Sequence, residues 1–156
     1  MAGKILKELQ QTKPFRHVEE ELYLNIQRTA DTLMQKLLDV MRPAGLSVTQ
    51  YNILRILRGA GETGVTCKEI GARMITRDPD VTRLLDRLER RNLVTRNRAK
   101  EDRRFVAIRI TTEGLKLLQD LDEPMERAQL EMMSGMPREQ QLQTIELLEQ
   151  LREPRD

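Results

Sequence analysis

Arginines recur at helical spacing in the middle of the chain, at Arg83, Arg87 and Arg90. At about 100° per residue they share one side of a predicted helix, with Asp86 among them. The opposite side carries apolar residues at spacings i, i+3, i+4 and i+7, namely Val81, Leu84, Leu85 and Leu88. Guanidinium groups can bind phosphate, or guanine in the major groove, through paired hydrogen bonds. The pattern therefore predicts a helix that packs against a core and offers its outer face to nucleic acid.

The two ends of this arginine helix carry typical end signals. Asp78 is predicted to be its N-cap and Pro79 its first residue, a position where the missing N–H costs nothing. Asn92 follows the last turn, where a left-handed residue is expected and asparagine is the best substitute for glycine. The helix is thus expected to end just before Asn92.

A shorter helix is predicted immediately upstream. Thr66 and Glu69 have the spacing of a capping box, and the apolar side is expected to comprise Ile70, Met74 and Ile75. Gly71 costs about 1 kcal/mol in a helix relative to alanine. It could allow close approach of the arginine helix, or it could be a tolerated weak spot.

Two strands are predicted after the arginine helix. The first spans residues 93–98, and alternation of Val106, Ile108 and Ile110 indicates the second. The loop between them is rich in basic residues. Together the segments have the order of a helix-turn-helix with a wing, which presents one helix to a DNA groove and a loop to the backbone beside it. The alternative is a solvated charged helix followed by an ordinary hairpin.

The wing and its surroundings resemble the MarR family of winged-helix regulators. Asp102-Arg103-Arg104, followed by Val106, Ile108, Ile110, Thr111 and Gly114, is similar to that family's DxR…LTxxG signature. The stretch from Leu46 to Tyr51 is similar to its LTxxQ entry, and VTRLLDRLERRNLVTR resembles its recognition helix and first wing strand. The similarity covers residues 20–150 or so. Asn92 stands where the family usually has glycine, Ile70-Gly71 replaces the common Leu-Ala pair, and Asp78 and Asp80 lie at the mouth of the recognition helix.

The resemblance implies a dimeric DNA-binding transcriptional regulator, usually a repressor released by a small ligand or by oxidation. It also implies that Arg104 enters the minor groove while Asp102 orients the wing. The candidate DNA-binding residues are Arg77, Asp80, Thr82, Arg83, Arg87, Arg98, Lys100, Asp102, Arg103 and Arg104.

Charge is distributed unevenly along the chain. Residues 47–112 hold 15 basic and 8 acidic residues, a balance of +7, whereas the flanks balance to −5 and the whole chain to +2. A basic middle between acidic ends would steer one surface toward phosphate. The chain has no apolar run long enough to span a membrane and no export leader, and its single cysteine fits a reducing compartment. A cytoplasmic protein is therefore expected.

Long amphipathic helices are predicted on both flanks. The first stripe comprises Val18, Leu22, Ile26, Ala30, Leu33, Leu37 and Met41; the second Leu117, Leu121, Met125, Ala128 and Met132; and the third Leu142, Ile145, Leu148 and Leu151. The small central module cannot cover all three, so an identical chain is the most economical partner. The predicted fold is mainly α with a small β-wing, in three regions. Residues 1–45 and 113–156 are dimerisation helices, and 46–112 form the winged helix-turn-helix.

Catalytic and metal-binding signatures are absent from the sequence. There is one His, one Cys and no HExxH, paired CxxC, GxSxG or P-loop pattern, so we expect neither an enzyme nor a cofactor or metal. Cys67, at a predicted helix N-terminus beside Lys68, could be a redox switch, but a half-buried small hydrophobe without a resolving partner is favoured.

A ligand cleft is expected where the dimerisation helices meet the winged module. By analogy with the family, a small aromatic or anionic effector would contact His17, Tyr23, Arg28, Met34 and Tyr51. Each of these residues could equally serve packing or surface roles. The sequence thus predicts a homodimer that binds pseudo-palindromic operator DNA. The alternative is a winged-helix module that binds another protein.

Overall fold

The computed structural model describes residues 3–77, 80–98 and 106–153, with Arg98 described for its backbone alone. In chain order the elements are α1 (Lys4–Glu8), α2 (Val18–Met41), α3 (Val48–Ala60), α4 (Cys67–Arg73), α5 (Val81–Arg90), β1 (Val94–Arg98), β2 (Val106–Ile110), α6 (Thr112–Met133) and α7 (Arg138–Gln150). Short 3-10 turns at Arg42–Ala44 and Gly61–Thr63 follow α2 and α3. The predicted mainly helical winged helix-turn-helix is confirmed.

The wing is an antiparallel pair whose register runs from Val94 opposite Ile110 to Arg98 opposite Val106. Just before α4, Val65 forms an isolated antiparallel β-bridge with Ile108 of β2. The N–H of Val65 donates to the Ile108 carbonyl (3.0 Å), and the N–H of Ile108 donates to the Val65 carbonyl (2.8 Å). The wing is therefore fastened to the start of the helix-turn-helix as well as to α5.

The core of the winged helix-turn-helix lies where α3, α5 and α6 meet the wing. Ile53, Leu54 and Leu57 of α3 are fully buried, as are Leu88 of α5 and Leu118 of α6. The predicted stripe of α5 is confirmed, since Val81 and Leu85 are also buried and Leu84 packs against the same cluster. One face of α5 is thus fixed by hydrophobic packing.

The N-terminal cap of α5 differs from the prediction. The helix begins at Val81, and the carboxylate of Asp80 accepts a hydrogen bond from the backbone N–H of Arg83 (3.2 Å). The prediction of Asp78 as N-cap and Pro79 as first residue was therefore wrong by two residues, and both lie outside the described residues. Two acidic residues flank the proline, and the downstream one has the spacing to reach the third helical N–H.

The C-terminal end of α5 is as predicted. Asn92 has a φ of 56°, in the left-handed region. The N–H of Asn92 donates to the Glu89 carbonyl (2.8 Å) and that of Leu93 to the Leu88 carbonyl (3.0 Å), which is a Schellman motif. Because Leu93 is used in this motif, β1 begins at Val94 and not at Leu93.

The short helix α4 has its predicted capping box, between Thr66 and Glu69. It ends at Arg73, so Ile75 lies beyond it and is 84% exposed, which contradicts the prediction that Ile75 belongs to its apolar side. The Ile75 N–H instead donates to Asn52 Oδ1 (3.0 Å), which anchors the turn. An added Cβ at Gly71 would lie an ordinary 3.9 Å from Val81 Cγ2, so this glycine is not needed for close approach.

Gly114 allows α6 to begin against the end of α5. A Cβ at this position would collide with the Leu93 carbonyl oxygen and lie 2.6 Å from Ile110 Cγ1. We expect Gly114→Ala to lower the free energy of unfolding by about 1–3 kcal/mol through overpacking. Chemical denaturation would measure this. Gly59→Ala, in the last turn of α3, is the control, because nothing lies within 4 Å of its added Cβ. Equal stability of the two variants would contradict the close-packing argument.

Candidate DNA-binding site

The outer face of α5 presents a row of cations. Arg83, Arg87 and Arg90 are all exposed, opposite the buried stripe. Among the described residues none of the three forms an ion pair. Their guanidinium groups are therefore available to an anion approaching α5 from outside.

The carboxylates of α5 are engaged elsewhere. Arg96 of β1 places Nη1 2.6 Å from Asp86 Oδ1 and 3.4 Å from Glu89 Oε2, and its Nη2 donates to the Thr82 carbonyl (3.1 Å). One guanidinium thus offsets two negative charges and ties β1 along the length of α5. Sequence analysis did not single out Arg96. Its position two residues into a strand that follows an acidic helix is a weak signal, because the pairing depends on tertiary geometry.

The remaining predicted contact residues are distributed around this face. Arg77 precedes α5 and is exposed, and Thr82 is exposed in the first turn of α5. Asp80 is engaged as the cap of α5. Arg98 ends β1, where only its backbone is described. Lys100, Asp102, Arg103 and Arg104 lie outside the described residues.

The junction between α4 and α5 is formed by small polar contacts. Cys67 is half-buried, with Sγ 3.8 Å from Thr82 Oγ1 on the first turn of α5.

The capping box of α4 lowers the pKa of Glu69. The backbone nitrogen of Thr66 donates to Glu69 Oε2 (2.7 Å), and the Thr66 hydroxyl donates to the same oxygen. These two hydrogen bonds, the backbone one having the larger effect, hold the pKa of Glu69 below its ordinary value. The cap is therefore expected to weaken only as the pH falls through that lowered pKa.

The predicted effector-binding residues lie in separate places. His17 and Arg28 line two different recesses of about 290 Å³ each. Tyr23 is exposed and accepts a hydrogen bond from Gln27 Nε2 (3.0 Å), while Met34 is half-buried in α2. Tyr51 is buried in the core cluster of α3, with the Arg55 guanidinium 6.0 Å from its ring centre. The structure of the single chain does not bring these five side chains together.

A second surface lies between α2 and α7. It is an apolar groove of about 620 Å³, lined on one side by Leu22, Ile26 and Leu33 and on the other by Leu147, Leu148 and Leu151. The exposed fraction is 50% for Leu22, 60% for Leu147 and 50% for Leu151. Contiguous exposed apolar surface of this kind marks an interaction site.

None of the helices in the described part of the chain combines the length and the apolar composition that a membrane span needs.

Comparison with known proteins relates this geometry to one family. The MarR family profile matches residues 46–106. The HTH-type transcriptional repressor MdtR of Bacillus subtilis (strain 168) is 33% identical over 99 residues, which span 61% of this chain and 63% of MdtR. The crystal structure of a MarR transcription factor from Planctomyces limnophilus is 36% identical, with a TM-score of 0.67 over 86% of this chain and 98% of that one. The S. aureus MepR–DNA complex shares the fold, with a TM-score of 0.74 and 23% identity over 81% of this chain and 92% of MepR.

Proposed function

Since the chain belongs to the MarR family of transcriptional regulators, we propose that it represses transcription by binding a pseudo-palindromic operator as a homodimer. The observation that carries this proposal is the outer face of α5. Its arginines are exposed, while the acidic side chains of the same helix pair with Arg96. This separation of charge favours an anionic partner such as DNA over a basic or apolar surface. The chain acts by binding and not by catalysis.

The proposed reading head is residues 46–112. The first turns of α5, with Thr82, Arg83 and Arg87, enter the major groove, and Arg77 contacts the backbone beside it. The carboxylate of Asp80 holds the helix end in place for these contacts. From the other side, Arg98, Lys100, Arg103 and Arg104 clamp the backbone or the minor groove, with Asp102 orienting the loop.

The proposed dimerisation regions are residues 1–45 and 113–156. We assign the groove between α2 and α7 to a second copy of the chain, because MarR-type reading of a two-fold operator requires one and the groove is apolar on both walls. Two α5 helices about 34 Å apart can enter successive major grooves.

A small aromatic or anionic effector is the proposed signal. If it bound near His17, Tyr23, Arg28, Met34 or Tyr51, it would change the separation of the two reading heads and weaken operator binding. Because a repressor acts where the chromosome lies, a cytoplasmic location is part of this proposal.

Selection of bound fragments from genomic DNA would test this function. We expect a recurrent two-fold site, and size-exclusion mass of a dimer that increases further with duplex DNA. A monomer whose partner binding is insensitive to salt and to the arginines would favour the alternative of a protein-interaction module.

Reversing the charge of Arg104 tests the wing. Arg104→Glu is expected to weaken operator binding and to lower the slope of log affinity against log salt by about one, because a phosphate contact is lost. Arg127→Glu on α6 is the matched control and should leave the slope unchanged. A gel-shift titration across salt measures both, and an Arg104→Glu affinity equal to that of the unsubstituted protein would remove the wing's assigned role.

A further inference from the structure

The three residues that follow α5 contact the starts or ends of both long dimerisation helices. We call Arg91, Asn92 and Leu93 the α5 joint. Its members lie at the C-terminal end of the recognition helix, opposite the end that carries Asp80. Hydrogen bonds connect the joint to the turn after α2 and to the cap of α6. The joint is therefore one place where the reading head meets the dimerisation helices, in addition to α3, whose Arg58 pairs with Asp122 of α6.

Arg91 forms the connection to α2. Its Nη1 donates to the Gly45 carbonyl and its Nη2 to the Ala44 carbonyl, both at 2.8 Å. These two carbonyls belong to the turn that directly follows α2 and ends at Gly45, whose φ of 62° is in the left-handed region. A planar guanidinium can satisfy both at once, which a lysine ammonium on a flexible stem cannot do with the same geometry.

Thr111 forms the connection to α6. Its Oγ1 donates to the Asn92 carbonyl (2.7 Å), and its backbone N–H donates to the Leu93 carbonyl (3.0 Å). The same Oγ1 accepts from the N–H of Gly114 and so caps α6. The start of α6 is consequently fixed to the joint from the opposite direction.

Two contacts at the other end of α5 lie within the reading head. There, Asp80 bonds within its own helix, and Arg96 joins α5 to β1, which is part of the same reading head. A shift of α2 or α6 can therefore reach α5 through the joint as well as through α3, which packs against all three helices.

We propose that Arg91 is a positioning residue that sets the operator spacing the protein accepts, without itself contacting DNA. The inference rests on the proposed function, because spacing has meaning only for two reading heads in one dimer. With both hydrogen bonds of the Arg91 fork to Ala44 and Gly45 intact, α5 moves as one body with α2. The distance between the two recognition helices of the dimer is then fixed. Without it, each reading head can adjust to a half-site that is displaced or rotated.

Operators of altered spacing test this proposal. Starting from the selected site, duplexes with one base pair removed from or added to the centre shift one half-site by about 3.4 Å and turn it by about 35°. The unsubstituted protein is expected to lose about tenfold or more in affinity on each altered duplex, because a rigid pair of heads can no longer engage both half-sites. Arg91→Ala is expected to lose less than about threefold on the same duplexes, while binding the natural spacing more weakly.

Arg90→Ala is the matched control, since it removes the same charge from the neighbouring exposed position. It should weaken binding to all three duplexes by one common factor. The spacing profile, meaning the ratio of affinities among the three duplexes, should stay unchanged. Loss of stability alone would also leave the profile unchanged, so the readout separates positioning from folding. Arg91→Lys, which keeps the charge but can reach one carbonyl at a time, should give an intermediate profile and decides the matter if Arg91→Ala does not fold.

A spacing profile of Arg91→Ala, or of Arg91→Lys in its place, as steep as that of the unsubstituted protein would overturn the inference and leave the proposed function intact. If the unsubstituted protein itself tolerated every spacing, dimeric reading of the operator would be contradicted instead.

Discussion

Replacing both Arg83 and Arg87 with alanine is expected to weaken operator binding by about 2–6 kcal/mol, at 1–3 kcal/mol for each contact. The two side chains lie one turn apart on the exposed face of α5, where they can hydrogen-bond base edges or phosphates. Their loss should also relax the preference for the bases they contact, so that selected and scrambled duplexes bind more equally. Fluorescence anisotropy at fixed salt measures both effects.

The matched control removes two arginines from outside the reading head. The double substitution Arg127→Ala with Arg138→Ala removes the same two positive charges from α6 and α7, and both residues are exposed. If steering by net charge were the whole effect, the two double variants would weaken binding equally. We expect the control variant to retain its preference for the selected duplex over the scrambled one. The fold should survive in both cases, because the buried stripe of α5 is untouched.

Introducing a carboxylate into the groove between α2 and α7 is expected to separate the dimer. Leu22 is half exposed in the single chain, so Leu22→Asp is tolerated by the monomer. In the dimer each substitution counts twice by symmetry, and burying an unpaired charge costs several kcal/mol. Sedimentation should show a shift toward monomer at micromolar concentration. Operator affinity should fall by about 100-fold or more as the second head is lost.

Gln35→Asp provides the control on the same helix. Gln35 is exposed and lies half a helical circumference from the groove, so the same new residue should leave the dimer unchanged. A dimer that survived Leu22→Asp, or that Gln35→Asp disrupted equally, would show that the groove is not the dimer interface.

Features that depend on local spacing could be predicted from the sequence. The buried and exposed faces of α5 follow from the period of its leucines and arginines, and the capping box of α4 follows from Thr66 and Glu69. Asn92 was recognisable as the left-handed residue because it stands about one helical turn after Leu88, the last apolar position of the helix. Each of these is determined within about one or two helical turns of chain.

Features that depend on distant parts of the chain could not be predicted. The pairing of Arg96 with Asp86 and Glu89, the crossing of Val65 with Ile108, and the fork from Arg91 to Gly45 all join elements whose relative placement the sequence does not encode locally. The cap of α5 is Asp80 and not the predicted Asp78, because the helix begins two residues later than expected. Ile75 was misassigned because α4 ends a residue before Met74 and the helical period no longer applies.

Protection of guanine N7 from methylation by dimethyl sulfate on the selected operator shows whether α5 enters the major groove, because N7 lies in that groove. We expect protected guanines in both half-sites with the unsubstituted protein. With saturating Arg83→Ala, protection should be lost at one position in each half-site and retained at the others. An operator whose guanines stayed fully reactive in the complex, or a protection pattern that Arg83→Ala left unchanged, would contradict the placement of this face of α5 in the major groove.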